Sequence, residues 1–293
     1  SYENIVPITP SGTELPYFPS LKIACGHFRS SHAEEPEYRP IGLGHGRIEP
    51  NRHFIARASG NSMNGGKQPI QDGDYLLLEQ INPNQAGSIT GKTLAIERMD
   101  EAGDTQYLLR TVRKSPVGEY LLEAANPEYD DIIVTPELLE QFRTFARFCE
   151  IIDPLEMAVG QEIQREDIPE LFGATFNPGN WQSGHVFLKD ANAHILLVTL
   201  NKQGKGVQHR YVDHWIDEQT FHWQSQNSAT PQSKRGRELI EHKKLGLSVH
   251  LFVRENKLRN GKAAPFTYFG PVEYQSHEGS SPMSVIFRLN STD

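Results

Sequence analysis

Ser62 lies in the stretch ASGNSMNGGKQPIQDGDYLLLE (58–79), with glycines at positions 60, 65 and 66 around it. Glycine lets a backbone turn sharply and brings peptide N–H groups close to the turning residue, the setting an attacking hydroxyl requires. Such a hydroxyl becomes a nucleophile only when a neighbouring base takes its proton. By itself the Ser62-Met63 pair carries no such information, and the serine serves equally well as a hydrogen-bonded turn residue.

A second group of residues offers different chemistry. Trp181, Trp223, Tyr268 and Phe269 supply aromatic faces; Gln224, Gln226, Asn227 and Glu278 supply polar edges; Lys234, Arg235, Arg237, Lys257 and Arg259 supply cations. Reading a base swung out of a duplex takes all three: faces for stacking at about 1–3 kcal/mol per base, polar groups for the Watson–Crick edge, and cations for flanking phosphates. The segment WQSQNS (223–228) is the sharpest part of the set. The alternation of Phe221 and Trp223 also suits core residues on one strand face, and a basic helix start also suits plain solvation. His277 and Glu278 are neighbours on a strand and point to opposite faces, so they do not form an acid–base pair.

A chain of 293 residues fits two domains, each large enough to bury its own core. With 37% hydrophobic and 23% charged residues it reads as globular, and 19 prolines with 24 glycines favour turn-rich β structure. The net charge of −8 is unevenly spread: residues 1–150 carry 14 Lys and Arg against 21 Asp and Glu (−7), whereas residues 201–293 carry 13 against 9 (+4). A phosphate-binding surface therefore belongs in the C-terminal part. No apolar run approaches the roughly 20 residues that span a bilayer, and SYENIVPITP lacks a signal peptide's basic and apolar regions, so a cytoplasmic protein without membrane contact is expected. Cys25 and Cys149 stand far apart with no CxxC or His-rich ligand set, which leaves two reduced thiols and no metal or other cofactor.

The elements that must hold these residues are mostly strands. HFIARAS, DYLLLEQI, KTLAIERM, QYLLRTV, EYLLEAAN, DIIVT and ARFCEIID alternate with turn signals up to Asp153, with a hairpin turn at 101–104 and a helical turn at 136–140. Beyond a linker and lead-in segment at 154–179 come GHVFLKD, HILLVTLNK, FHWQSQ, VHLFVREN, PFTYFGPVEYQS and MSVIFRL, with one helix expected from Ser233 to Leu245 behind a Thr-Pro-Gln-Ser cap. The class is mainly β (α+β), with domains at 1–153 and 180–293. The second is a curved sheet or barrel with a helix beside it.

The order SGNSM, Asp-Gly-Asp, apolar strand, a later strand with a cation, then LLEAANPEYDDIIV resembles LexA, UmuD and phage-repressor Ser-Lys peptidases over about 18–153. The resemblance implies a β-rich peptidase fold with Ser62 as nucleophile. It places Arg110, in QYLLRTV, where those enzymes carry the lysine that acts as general base. Arginine holds its proton to a pKa above about 12, so the resemblance implies a fold retained without its base. Lys114, four residues further on, lies about 13 Å along the strand. Self-cleaving members cut an Ala-Gly or Cys-Gly bond upstream of the core, and Cys25-Gly26 in LKIACGHF matches that dipeptide.

The segments FHWQSQNSATPQSKRGRELIEH and VHLFVRENKLRNGKAAPFTYFGPVEYQSHEGSSPMSVIFRL resemble the C-terminal domain of bacterial helicase-like restriction proteins of the SauUSI type, which looks related to SRA-like modified-base readers. That resemblance covers roughly 180–290. It implies the DNA-recognition portion of a restriction or antiphage protein, reading a flipped 5-methylcytosine or 5-hydroxymethylcytosine. No Walker, HKD or HNH signature is present, so cutting belongs to a nuclease or helicase region of a longer chain or to a partner subunit. The start at Ser1 is consistent with such a longer chain. The alternative is a self-cleaving peptidase that switches the reader by cutting Cys25-Gly26; a third reading makes the LexA-like domain a homodimerisation module.

Overall fold

The computed structural model describes residues 5–8, 12–30, 32–42, 44–82, 88–201 and 213–290. The chain divides into two units, residues 13–153 and residues 1–12 with 154–293.

The first unit is built on one nine-stranded sheet. Its strands are β1 (Thr13–Phe18), β2 (Glu37–Ile41), β3 (His53–Arg57), β4 (Tyr75–Gln80), β5 (Thr93–Met99), β6 (Thr105–Lys114), β7 (Tyr120–Glu123), β8 (Ile132–Val134) and β9 (Phe142–Ile152). They run in the order β2-β1-β3-β4-β9-β5-β6-β7-β8. Leu76, Leu77 and Leu78 of β4 are all buried, the mark of a strand covered on both faces. Leu76 and Leu78 join Phe54, Ala56, Ala95 and Ala146 in one core, under helix α1 (Leu21–Arg29). Ser20 caps that helix by accepting from the Ile23 amide. The expected turn at 101–104 closes β5 onto β6 through the Asp100 carboxylate, which accepts from Ala102 and Asp104.

The second unit contains α2 (Pro154–Ala158), β10 (Glu162–Ile163), α3 (Pro178–Trp181), β11 (His185–Leu188), β12 (Ala193–Asn201), β13 (His214–Trp215), β14 (Thr220–Gln224), α4 (Lys234–Ile240), β15 (Ser248–Asn256), β16 (Leu258–Arg259), β17 (Lys262–Ala263), β18 (Phe266–Glu278) and β19 (Ser284–Leu289). The last residue of the expected strand HILLVTLNK, Lys202, lies outside the described residues. The main sheet runs β11-β12-β15-β18-β19-β14-β13 with β10 beside β18, and its end strands β11 and β13 do not pair. Among the described residues the sheet is therefore open, and the barrel expected as an alternative is not formed.

Strand alternation supplies two cores on opposite faces. Leu196, Val198, Leu251 and Val253 face one with Trp223 and Phe287. Ile195, Leu197 and Phe252 face the other with Trp181, Phe266 and Tyr268. Residues 154–179 are not a free linker: Gly160 donates to Tyr268 O, and Glu162 and Ile163 pair with Thr267 and Phe266. The N-terminal stretch belongs here too, with Ile5 against the first of these cores and the Ile8 amide bonded to Glu218 O.

The helix expected over 233–245 is shorter. Ser233 caps α4 as anticipated, accepting from the Gly236 amide, but the helix ends at Ile240. His242 turns inward, pairing with Leu247 O through Nδ1 and accepting the Tyr274 amide on Nε2. That amide sits where β18 shifts register against β19, so the imidazole closes an irregularity that a longer helix would leave open. Among the described residues no helix is long and apolar enough to cross a membrane.

Candidate functional site

Ser62 occupies a loop tied down at several points. Ala58 and Asp74 bridge its base, Met63 is buried as a plug and accepts the Ile70 amide, and Gly60 donates to Asp72 Oδ1. The Asp-Gly-Asp acids therefore shape the turn, Asp74 Oδ2 accepting from Gln71. Segment 125–126 clamps the loop from outside, with Asn126 N donating to Ser62 O (3.0 Å) and Asn126 Nδ2 to Asn61 O (3.1 Å). Gly65 is required by close approach: a Cβ there would lie 2.3 Å from Ala125 O.

Arg110 lies on β6, and the last pair of the β6–β7 ladder, Thr111 with Glu123, puts it one step before the segment that clamps Ser62. Its side chain is buried, with Nη1 donating to Leu109 O, and its Nε has no hydrogen-bond partner among the described residues. Burial lowers its pKa, while the nearby Asp131 carboxylate, itself bonded to the Ala124 amide, raises it. No lysine or histidine bonds to Ser62 among the described residues. The loop has the backbone of a nucleophile turn, and Arg110 is a buried cation on the strand that pairs with β7.

Cys25-Gly26, read as a cleavage dipeptide, lies inside α1. The Cys25 side chain is buried, donating to Glu97 Oε2 (3.3 Å), and Gly26 O accepts the Ser30 amide. Arg29 and Tyr107 also bond to Glu97. Burial, reinforced by the Glu97 hydrogen bond, pushes the thiol up to about 11. A scissile peptide must lie extended across a nucleophile, so attack here requires α1 to unwind.

The aromatic set expected to stack on a base is in the cores instead. Trp181, Trp223 and Tyr268 are 2%, 4% and 0% exposed. Tyr268 donates or accepts at His250 Nδ1 and stacks on Phe252, and Trp223 meets His185 edge-on. None offers a free face; the alternation that suggested platforms is that of core strands. Gln226 is exposed and donates to Ser183 Oγ, Asn227 is exposed, and the Gln224 amide donates to Asp213 Oδ1. Glu278 is exposed at the end of β18. On α4, Arg235 donates to His185 O and Arg237 pairs with Glu241, while Lys234 is exposed.

Lys257 and Arg259 stand apart from that group, on the exposed β16–β17 hairpin with Lys262. This basic hairpin borders a cleft of about 430 Å³ whose walls include Trp215, Phe269, Arg254, Asn256, Arg259 and Glu162. Trp215 and Phe269 meet edge to face at 4.8 Å, and Arg259 forms a two-pronged pair with Glu162. Arg254 lies over the Phe266 ring, donating to Thr199 Oγ1 and Ala264 O, and Arg165 approaches the same ring. Neither guanidinium meets a carboxylate among the described ion pairs; burial and, for Arg254, the neighbouring Arg165 lower their pKa values. Two like charges held this way favour an incoming anion. Of the residues expected to bind DNA, Arg259 and Phe269 line this cleft and Lys257 lies on the hairpin at its border, whereas Trp215 and Arg254 join them only when β12, β13, β15 and β18 assemble.

Two further clusters escaped the sequence. His185 Nε2 and His194 Nδ1 are 2.8 Å apart in the interior, and His194 Nε2 lies 2.9 Å from Glu238 Oε2. In the first unit His53, Glu79 and Cys149, 26 and 70 residues apart along the chain, bring their ligand atoms within 4.8 Å of one another. Motif spacing carries no sign of either.

The fold and these sites define a peptidase-type β unit joined to a second sheet domain with an aromatic and basic cleft. Residues 16–149 match the Peptidase S24-like family, and residues 157–292 match a domain of unknown function (DUF3427). The chain thus carries an S24-like domain of the LexA/UmuD type followed by a DUF3427 domain. No curated protein matches it.

Proposed function

We propose that this chain is the DNA-recognition part of a bacterial restriction or antiphage protein. In this reading the C-terminal cleft takes a nucleotide of the DNA, an extruded modified cytosine, and the S24-like domain serves as a non-cleaving regulatory or dimerisation module. The observation that carries it is Arg254, a cation without a carboxylate partner among the described ion pairs, set in the wall of a cleft that also holds Trp215, Phe269 and Asn256. Pockets for small ligands run from about 300 Å³ upward, so the cleft suits a single nucleotide. An amide for the base edge and a cation for phosphate are groups such a ligand needs, and Trp215 and Phe269, 7% and 6% exposed, add an apolar wall rather than a free stacking face. The exposed Lys257, Arg259 and Lys262 at its rim suit flanking phosphates. The SRA-like resemblance points the same way. For the S24-like domain, an arginine at the position where the resemblance expects the lysine base, with no lysine or histidine bonded to Ser62 among the described residues, supports a role without catalysis.

The test is fluorescence anisotropy with matched duplexes that are unmodified or carry 5-methylcytosine or 5-hydroxymethylcytosine, at about 0.15 M salt. A preference for one modified duplex that Arg254→Gln weakens about tenfold, at a temperature where a melt shows the variant still folded, is expected, in line with loss of one charge-assisted contact. Absence of binding to all three duplexes would overturn the proposal.

A further inference from the structure

His53 begins β3, Glu79 lies opposite it on β4, and Cys149 lies on the next strand, β9. The register of β4 against β9 steps from Leu78–Phe148 to Leu77–Glu150, leaving Cys149 as the extra residue of a bulge. Bulges re-aim one side chain while the ladder continues, and they concentrate at functional positions. From these placements we infer that His53, Glu79 and Cys149 form a binding site for a divalent transition-metal ion of the zinc class, holding it with three protein ligands and one water.

The donor set is the one such an ion takes. Zinc accepts thiolate sulfur at about 2.3 Å and imidazole nitrogen or carboxylate oxygen at about 2.0–2.2 Å, and open sites keep three protein ligands and a water. Ligand atoms already within 4.8 Å of one another need only small side-chain movements to reach those distances. His53 is 8% exposed, the Glu79 side chain 16%, and Cys149 half-buried, so the site is shielded yet reachable.

The surroundings supply the supports that metal ligands need. The Glu49 backbone amide donates to His53 Nδ1 (3.0 Å), and Glu49 O lies 3.2 Å from the same nitrogen, so the ring is held in place in either tautomer. Ion binding at Nε2 moves the ring proton to Nδ1, where it donates to Glu49 O in place of the bond from the Glu49 amide. The Glu79 carboxylate is oriented by Arg52 on one oxygen and Arg147 on the other. A carboxylate offers about four lone-pair positions, so two arginine contacts leave room for an ion. Arg52 is also paired with Glu49, which offsets its charge. On binding, the Cys149 Sγ–H bond gives up its proton to solvent and the sulfur donates its pair to the metal. The thiolate and the Glu79 carboxylate bring two negative charges to the ion, one of them shared with Arg147.

The test is titration of the untagged full chain with Co²⁺, followed by its thiolate-to-metal absorption, and then displacement with Zn²⁺. One equivalent should bind with that absorption, Cys149→Ser should abolish it and weaken binding by about tenfold or more, and Cys25→Ser should leave it unchanged. No saturable binding at one equivalent, or absorption that persists in Cys149→Ser, would overturn the assignment. A second readout needs no variant: Zn²⁺ should slow alkylation of Cys149 in the wild type, followed by mass spectrometry, and an equal rate with and without the ion would also count against the site.

Discussion

The backbone amide of Asn126 donates to the Ser62 carbonyl oxygen over 3.0 Å, fastening the serine loop to the turn that follows β7. Next to it a Cβ at Gly65 would lie 2.3 Å from Ala125 O, a distance no side chain can occupy. Gly65→Ala should therefore cost about 2–4 kcal/mol, as other severe backbone clashes do. Gly26→Ala makes the contrast, since its Cβ meets nothing within 4 Å and the residue is helical. It should be neutral or stabilise by about 0.5–1 kcal/mol. Denaturant melts of the two variants give both answers.

With no lysine or histidine bonded to Ser62 among the described residues and with Cys25-Gly26 inside α1, the purified wild type should remain a single 33.1 kDa species through prolonged alkaline incubation. Mass spectrometry would detect a product shorter by about 25 residues. Its appearance, and its disappearance in Ser62→Ala, would establish cleavage and contradict this reading.

Trp223 is 4% exposed and packed against Phe287 and the edge of His185. Trp223→Ala should accordingly act on stability, costing about 3–5 kcal/mol, and lower the melting temperature. If the variant melted with the wild type and lost only DNA binding, Trp223 would be a ligand contact after all.

Acid should destabilise the second unit. Burial holds His250 at about 4, and burial followed by the charges of His194 and Arg235 holds His185 at about 3, against an ordinary 6.5. His194 is lowered by burial as well, though the Glu238 carboxylate at 2.9 Å works against this. Between pH 6.5 and about 4 the unfolded chain binds protons at His185 and His250 that the folded chain refuses, so stability falls as pH falls through that range. Melts at stepped pH should show uptake of about two protons on unfolding near pH 5 from these groups. His250→Gln should flatten the dependence, and an unchanged slope would remove His250 from it.

Strands and turns were readable because alternation and turn chemistry are local: the Asp100–Asp104 hairpin and the Ser233 cap follow from a few adjacent residues. The end of α4 was not, because His242 is drawn off the helix by the Tyr274 amide, 32 residues away. Helix α1 is nine residues long and carries Gly26, a weak helix former, in its interior, so local propensity gives it little signal. The same limit applied to the sites. Phe269, Lys257 and Arg259 could be named from residue type, whereas Trp215, Arg254 and the His53–Glu79–Cys149 group became neighbours only through register. Trp181, Trp223 and Tyr268 show the converse, since the aromatic that fills a core and the aromatic that stacks on a base look alike in sequence.

The Ile8–Glu218 hydrogen bond bears on any dissection of the molecule. A fragment begun at Pro154 would leave out Ile5 and Pro7, which form part of the cleft wall, and would uncover Trp215 and Phe269 to solvent. Recombinant work on the C-terminal domain should therefore restore residues 5–8, by fusing them through a short glycine-rich tether ahead of Pro154 or by adding them as a peptide. A bare fragment that failed to bind would then report a missing wall.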